Sequence, residues 1–322
     1  MNPSKLKSSW EALVAHKSFI LACHVQPDGD CLGAALALAR TLRSLGKDAT
    51  VISQDPVPDH YRFLPESDTI VHTSDRRYFE VGVVVDCDQP SRTGTAAELI
   101  NSAKITARID HHLTKENFGD IQIYEPNISS TSELIVELFD AVGIEIDQAT
   151  ATMLMTGIVF DTGGFRYSNA TSRTFEIASR FAAMGVSPSE IVRSVFESRP
   201  LRAAKLLGRA LSSMQETQDG KIVWAELSNR DYIDLDADDS CTEGIVNTVA
   251  AIKGPRVVML LREIEPGIVR ASLRSRDGFD VNKVAAAFGG GGHAAASGCT
   301  IEDTLQQARN KLISEVRRWM ES

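Results

Sequence analysis

The sequence predicts an α/β fold: an N-terminal domain with a doubly wound parallel sheet, a helical linker, and a smaller C-terminal α/β domain. Three observations carry that expectation. Short apolar, β-branched runs alternate with segments of helical hydrophobic spacing. The runs end repeatedly in acid or histidine. After a helical middle, strand-like alternation resumes from Lys221.

Phe19–Cys23 is the first such run, and its continuous apolar character suits a strand buried on both faces. It ends at His24, and the turn Pro27-Asp28-Gly29-Asp30 follows. Leu32–Leu45 carries apolar residues at helical spacing and is closed by Gly46 in a cap position. Asp48–Ser53 reads as the next strand. Val81–Val85 is strongly β-branched and ends at Asp86, and Ile105–Ile109 ends at Asp110-His111-His112. After Asp120 the pattern turns mainly helical: Ser132–Val142, then Gln148–Phe160 with Asp161 at its end before Gly163-Gly164, then Ser172–Met184. One or two polar helices over Pro188–Met214 form the linker. Strands follow at Ile222–Leu227, Arg256–Arg262 and Ile268–Leu273, then a helix over Val281–Phe288 and the run Gly289-Gly290-Gly291-Gly292-His293. The expected domains are residues 1–186, a linker over 187–215, and residues 216–322. No internal repeat and no low-complexity tract is visible.

Composition narrows the function classes. With 322 residues, 43% of them hydrophobic, the chain can bury two cores. A net charge of -9 argues against coating long nucleic acid with a broad basic surface, although a few arginines and metals at one site suit a small phosphorylated substrate. There is no bilayer-length apolar run and no signal-peptide core at Met-Asn-Pro-Ser-Lys, so a cytoplasmic protein without a membrane is expected. Cys23, Cys31, Cys87, Cys241 and Cys299 are scattered without a C-x-x-C pair, and read as reduced thiols, neither a disulfide framework nor a zinc site.

In an open parallel sheet, sites gather beyond the carboxyl ends of the strands, and three of the acid and histidine clusters fall there. Converging carboxylates and imidazoles hold divalent ions, and a mostly oxygen set suits Mn²⁺ or Mg²⁺. A pair of ions activates water and neutralises phosphate, so phosphate-ester hydrolysis is the leading chemistry. Each piece has a plainer reading. Asp28-Gly29-Asp30 alone is a polar turn with an aspartate helix cap. Asp110-His111-His112 weighs more, because three consecutive ionisable groups at a strand end are costly to bury without a ligand. Asp161 opposes the helix dipole and asks for a nearby cation. The four glycines expose backbone N–H groups to a phosphate, or else merely end a helix.

His24-x-x-Pro-Asp28-x-Asp30, Asp86, Asp110-His111-His112 and Asp161 resemble the four ordered motifs of the DHH phosphoesterase superfamily. Ser272-Leu273-Arg274-Ser275-Arg276 with Gly289–His293 resembles its DHH-associated substrate-binding domain. The whole is similar to the nanoRNase branch, oligoribonucleases that also dephosphorylate 3′-phosphoadenosine 5′-phosphate (pAp). The resemblance implies two Mn²⁺, with Mg²⁺ or Co²⁺ as alternatives. His24, Asp28 and Asp86 would hold one ion, and Asp30, Asp86, His111 and Asp161 the other, with a water between them as nucleophile. His112 would contact the scissile phosphate or protonate the leaving oxygen, with Asp110 orienting a neighbouring histidine. Arg274, Ser275, Arg276, Gly290, Gly291, Gly292 and His293 would bind substrate across a cleft from the metals. Arg92 is a further candidate phosphate contact, with an exposed loop arginine as the equal alternative.

One departure stands out. Relatives often carry a basic residue after Gly-Gly-His, where this chain has Ala294-Ala295-Ala296, which weakens the case for longer nucleic acid. The expected substrates are short RNA, linear dinucleotides and pAp; a homodimer is compatible. The alternatives are a phosphatase with little nuclease activity and a catalytically silent nucleotide-binding regulator, the latter opposed by the complete set of acids. RecJ-type exonucleases and membrane-bound cyclic-dinucleotide hydrolases need further domains, and the glycine run disfavours an inorganic pyrophosphatase.

Overall fold

The computed structural model describes residues 2–113, 117–198 and 200–321. The chain forms two compact units, Met1–Ser198 and Arg199–Ser322; Arg199, within the expected linker, lies outside the described residues.

The first unit runs α1 (Pro3–Val14), β1 (Ser18–Ala22), α2 (Gly29–Ser44), β2 (Asp48–Ile52), β3 (Val81–Val85), α3 (Ala97–Ser102), β4 (Ile105–Asp110), β5 (Ile121–Tyr124), α4 (Thr131–Val142), α5 (Gln148–Asp161), α6 (Ser172–Ala183) and α7 (Pro188–Phe196). Its five strands are all parallel in the order β2-β1-β3-β4-β5. The strand order reverses beside β1, so a crevice opens at the carboxyl ends of β1 and β3. All five residues of β3 are buried, as expected for a strand covered on both faces. Two elements differ from the sequence expectation. The chain does not turn helical directly after Asp120, because Ile121–Tyr124 adds β5 at the sheet edge. Four residues with a single alternation carry too little pattern to announce a strand. The N-terminal helix α1 was also not expected; Leu6, Trp10 and Leu13 form its buried stripe, and Asn2 caps it.

The second unit runs α8 (Leu201–Ser212), β6 (Gln215–Glu216), β7 (Ile222–Leu227), α9 (Asn229–Leu235), α10 (Ile245–Ala250), β8 (Val257–Glu265), β9 (Ile268–Ser275), α11 (Val281–Ala286), β10 (Gly291–His293), β11 (Ala296–Glu302) and α12 (Leu305–Glu321). The sheet order is β10-β11-β9-β8-β7-β6, antiparallel except for β7 beside β8. Strict alternation gives this sheet two cores. Ile222, Trp224, Met259 and Leu261 face α11 and α12, while Val223, Ala225, Val258 and Leu260 face α8 and α10. Within the stretch 187–215, Ile191 and Val195 of α7 join the core of the first unit, and Ala203, Leu206 and Ala210 of α8 join the second.

The glycine run is part helix end and part strand. Gly289 and Gly290 donate to the carbonyls of Ala286 and Ala285, and Gly291–His293 pairs antiparallel with Ala296–Gly298. A Cβ on Gly290 would stand 2.2 Å from the Gly298 carbonyl oxygen, so the close approach of β11 alone demands glycine there.

Candidate metal centre

Three neighbouring strands deliver the acid and histidine clusters to one edge of the parallel sheet. His24, Asp28 and Asp30 follow β1, Asp86 follows β3, and Asp110 ends β4 ahead of His111 and His112. Helix α5 brings Asp161 as its last residue, where Gly163 and Gly164 (φ +58° and +68°) turn the chain away. Among these, Asp30, Asp86 and Asp110 are at most 2% exposed.

Most of these side chains are held by a partner that leaves one edge facing its neighbours. Asp28 caps α2, its Oδ1 accepting from the backbone of Asp30 and Cys31, while its Oδ2 lies 3.4 Å from His24 Nε2. The helix-cap reading of this turn and a metal-facing carboxylate are therefore compatible in one residue. His24 Nδ1 lies 2.9 Å from the Val25 carbonyl, so a proton there leaves the Nε2 lone pair facing Asp28 and Asp86. Asp86 takes a left-handed backbone (φ +56°) and accepts from Thr131 Oγ1 at 2.7 Å. Its carboxylate lies within 4.0 Å of His24, His111 and His112. His111 Nε2 lies 3.0 Å from Asp161 Oδ2 and 4.0 Å from Asp30 Oδ2.

Asp30 is fixed by the start of α4. The backbone N–H groups of Thr131 and Ser132 donate to its two oxygens at 2.6 and 2.8 Å, where the helix dipole favours negative charge. Gly157 of α5 makes room for this contact: a Cβ there would stand 2.0 Å from Ser132 Oγ and 2.3 Å from Asp30 Oδ1. Asp110 is different in kind. The buried guanidinium of Arg108 grips one of its oxygens, and the other accepts from the backbone and from Nδ1 of His112, the latter at 2.7 Å. Arg108 in turn stacks on the Tyr124 and Phe118 rings.

The electrostatics show a cluster short of positive charge. Burial and the neighbouring Asp86 push the Asp30 carboxyl up to about 7. Burial and Asp28 raise Asp86 to about 6, and burial and Asp30 raise Asp161 to about 7. Burial disfavours a charged His111 and His24, yet Asp161 and Asp28 override it and lift them to about 10 and about 9. Burial also works to raise Asp110, but the hydrogen bonds from His112 and Arg108 keep it below the ordinary carboxylate range. Acids raised beside histidines raised is what mutual repulsion among carboxylates produces. Divalent cations answer that deficit, and the ligand atoms are close enough: one atom each of Asp30, His111 and Asp161 lie within 4.8 Å of one another, as do those of Asp86, His111 and His112. The donor set fits metal ions.

The same proximity holds for His24, Cys31 and Asp86. Cys31, grouped from sequence with the scattered reduced thiols, sits in the first turn of α2, fully buried at this edge. Thr131, Ser132, Arg108 and Gly157 are the other contributors that the sequence reading did not single out.

Of the remaining candidates, Arg92 pairs with Asp88 at 3.3 Å, and its carbonyl accepts from Val25. In the second unit, Arg274 on β9 is aligned with Ala296 on β11, which pairs with His293 on β10, so these residues lie on adjacent strands. Arg274 Nε donates to Asn247, Ser275 Oγ to the carbonyls of Phe279 and Ala294, and Arg276 to the carbonyl of Ala250.

Residues 18–158 match the N-terminal domain of the DHH family, and residues 202–322 match the DHHA1 domain. The chain is 33% identical to the bifunctional oligoribonuclease and PAP phosphatase NrnA of Thermus thermophilus, over 92% of this chain and 88% of that protein. The chain belongs to the DHH family. It is a metal-dependent phosphoesterase. The NrnA protein of Bacillus subtilis is 27% identical over 89% of this chain and 90% of that one. Among solved structures, an exopolyphosphatase-related protein from Bacteroides fragilis superposes with a TM-score of 0.92 at 28% identity, covering 99% of this chain and 97% of that chain. Among the described residues no helix is long and apolar enough to cross a membrane.

Proposed function

We propose that this DHH-family enzyme is a Mn²⁺-dependent phosphodiesterase that degrades very short RNA and linear dinucleotides to mononucleotides and also removes a phosphate from pAp. The buried cluster at the ends of β1, β3 and β4 carries the reading, and the likeness to the Thermus thermophilus enzyme supplies the substrate class. The residues that would hold the metals are His24, Asp28 and Asp86 for one ion and Asp30, Asp86, His111 and Asp161 for the other, with Asp86 shared. When bound, such ions neutralise phosphate charge and make water nucleophilic at neutral pH.

The chain's own groups do the rest. His112, with Nδ1 tied to Asp110, would use Nε2 to hold a proton against the scissile phosphate or its leaving oxygen. Asp110, locked by Arg108, sets the imidazole's angle and favours its charged form. Arg274, Ser275 and Arg276, with Gly290–His293, are the proposed substrate contacts in the second unit, where an arginine fork suits a terminal phosphate. Arg92 is a proposed phosphate contact. A cytoplasmic location fits these substrates.

A turnover panel of pAp, linear dinucleotides and RNAs of increasing length, with Mn²⁺, Mg²⁺ and Co²⁺, tests the reading. Fast cleavage of dinucleotides and pAp with a steep fall for longer RNA is expected. Turnover of pAp alone would favour the phosphatase alternative, and binding without turnover a regulator.

A further inference from the structure

We propose that Cys31 is a sulfur ligand to the ion held by His24 and Asp86, which makes that position a mixed nitrogen, sulfur and oxygen site with affinity for thiophilic divalent ions such as Co²⁺ and Zn²⁺. The proposal rests on the metal-centre reading above and adds to it a donor of another chemical class. Its basis is placement. One ligand atom each of His24, Cys31 and Asp86 lie within 4.8 Å of one another, and all three residues are buried. Ligand atoms around one ion stand at most about twice a metal–ligand bond apart, roughly 4 to 5 Å with the bond lengths of nitrogen, oxygen and sulfur donors. The group therefore fits around a single ion.

Backbone geometry keeps the sulfur there. Cys31 is in the first turn of α2, one residue after Asp30 and three after the capping Asp28. As a thiol it donates from Sγ to the carbonyl of Val85 at 3.5 Å, one residue before Asp86, which places the sulfur at the end of β3; a thiolate would give up this bond for the ion. Beside the sulfur, Asp28 Oδ2 lies 3.4 Å from His24 Nε2, so an imidazole, a thiol and carboxylates meet at one end of the centre. The other end, Asp30, His111 and Asp161, offers only oxygen and one imidazole. Softer donors select softer ions, so the two ends differ in preference: Co²⁺ or Zn²⁺ at the Cys31 end, Mn²⁺ or Mg²⁺ at the other. Coordination converts the thiol to a thiolate and releases its proton to solvent.

Cobalt spectroscopy on the metal-free full-length protein tests this without reference to turnover. Titrated Co²⁺ is expected to develop a near-ultraviolet sulfur-to-cobalt charge-transfer band in step with bound metal. Cys31→Ala and Cys31→Ser should still bind Co²⁺ by metal analysis but lose the band, while Cys23→Ala should keep it. Bound Co²⁺ without the band in the unaltered protein overturns the sulfur ligand and leaves the metal centre standing, with no variant needed. A band that survives in Cys31→Ala also overturns it. If Co²⁺ does not bind at all, the metal-centre reading itself fails.

Discussion

His112 Nδ1 lies 2.7 Å from Oδ1 of Asp110, and the opposite oxygen of that carboxylate is gripped by the buried guanidinium of Arg108. The imidazole is thus aimed by a chain of three residues, of which only the last faces its neighbours at the metal centre. His112→Ala should slow turnover of pAp and dinucleotides by roughly 10²- to 10⁴-fold, the usual worth of a positioned acid. Metal content should stay near that of the unaltered protein. Loss of one ion equivalent from the variant would make His112 a ligand instead.

Asp86 stands between the two proposed ion positions, so its removal should cost both. Asp86→Asn is the better test than Asp86→Ala, because asparagine tolerates the left-handed backbone at φ +56°. The variant should keep its circular dichroism and lose activity toward pAp and dinucleotides together. Near-normal turnover would remove Asp86 from the centre.

Gly157→Ala adds a methyl group where Asp30 Oδ1 and Ser132 Oγ already stand. Helix propensity alone would reward the change by about 1 kcal/mol. Overpacking opposes it by about 1 to 3 kcal/mol, and the carboxylate or the start of α4 must move. The expected result is a folded protein with weakened Mn²⁺ binding, read by titration calorimetry, and activity down about 100-fold. Unchanged metal affinity would show that Asp30 is not a ligand.

Asp147 supplies a pH signature away from the centre. It caps α5 through Thr150, and a hydrogen bond from Arg40 pulls its carboxyl down to about 2 from an ordinary 3.8. The folded state thus holds the ionised form more strongly than the unfolded chain does. That stabilisation is complete above about pH 4 and is lost as the pH falls through 2. Because Asp147 is half exposed, its worth is at most about 1 kcal/mol. Asp147→Asn keeps a good cap but loses the charge, so it should lower the melting temperature slightly at pH 7 and not at pH 2. An equal difference at both pH values would assign the effect to the cap.

Arg274→Ala separates binding from chemistry. If the guanidinium holds the far end of a nucleotide, kcat/KM for dinucleotides and pAp should fall about 10- to 100-fold, as for a lost charged hydrogen bond. A small synthetic phosphodiester that does not reach it should be cleaved as before. A uniform loss across substrates would point to a folding defect, since Arg274 also donates to Asn247.

The parallel sheet was legible because its central strands are continuous apolar runs, and β3 matches the predicted Val81–Val85. The convergence of the acids was legible because the ends of parallel neighbouring strands lie at one edge of the sheet. What supports them was not. Asp30 is held by backbone N–H groups of Thr131 and Ser132, which carry no side-chain signature 101 and 102 residues away. Two clues were present all the same. Arg108 stands two residues before Asp110 on β4, hence on the same face, and a lone Gly157 inside an apolar helix costs stability unless something needs the space. The glycine run was harder: that Gly290 is forced by β11 depends on a pairing partner later in the chain.

The seating of Asp30 on the start of α4 ties the centre to packing elsewhere in the domain. A carboxylate with two amide donors and a helix end behind it takes its position from the fold of that helix. Substitutions that touch none of the acids, wherever they tilt α4, would therefore be felt at the centre.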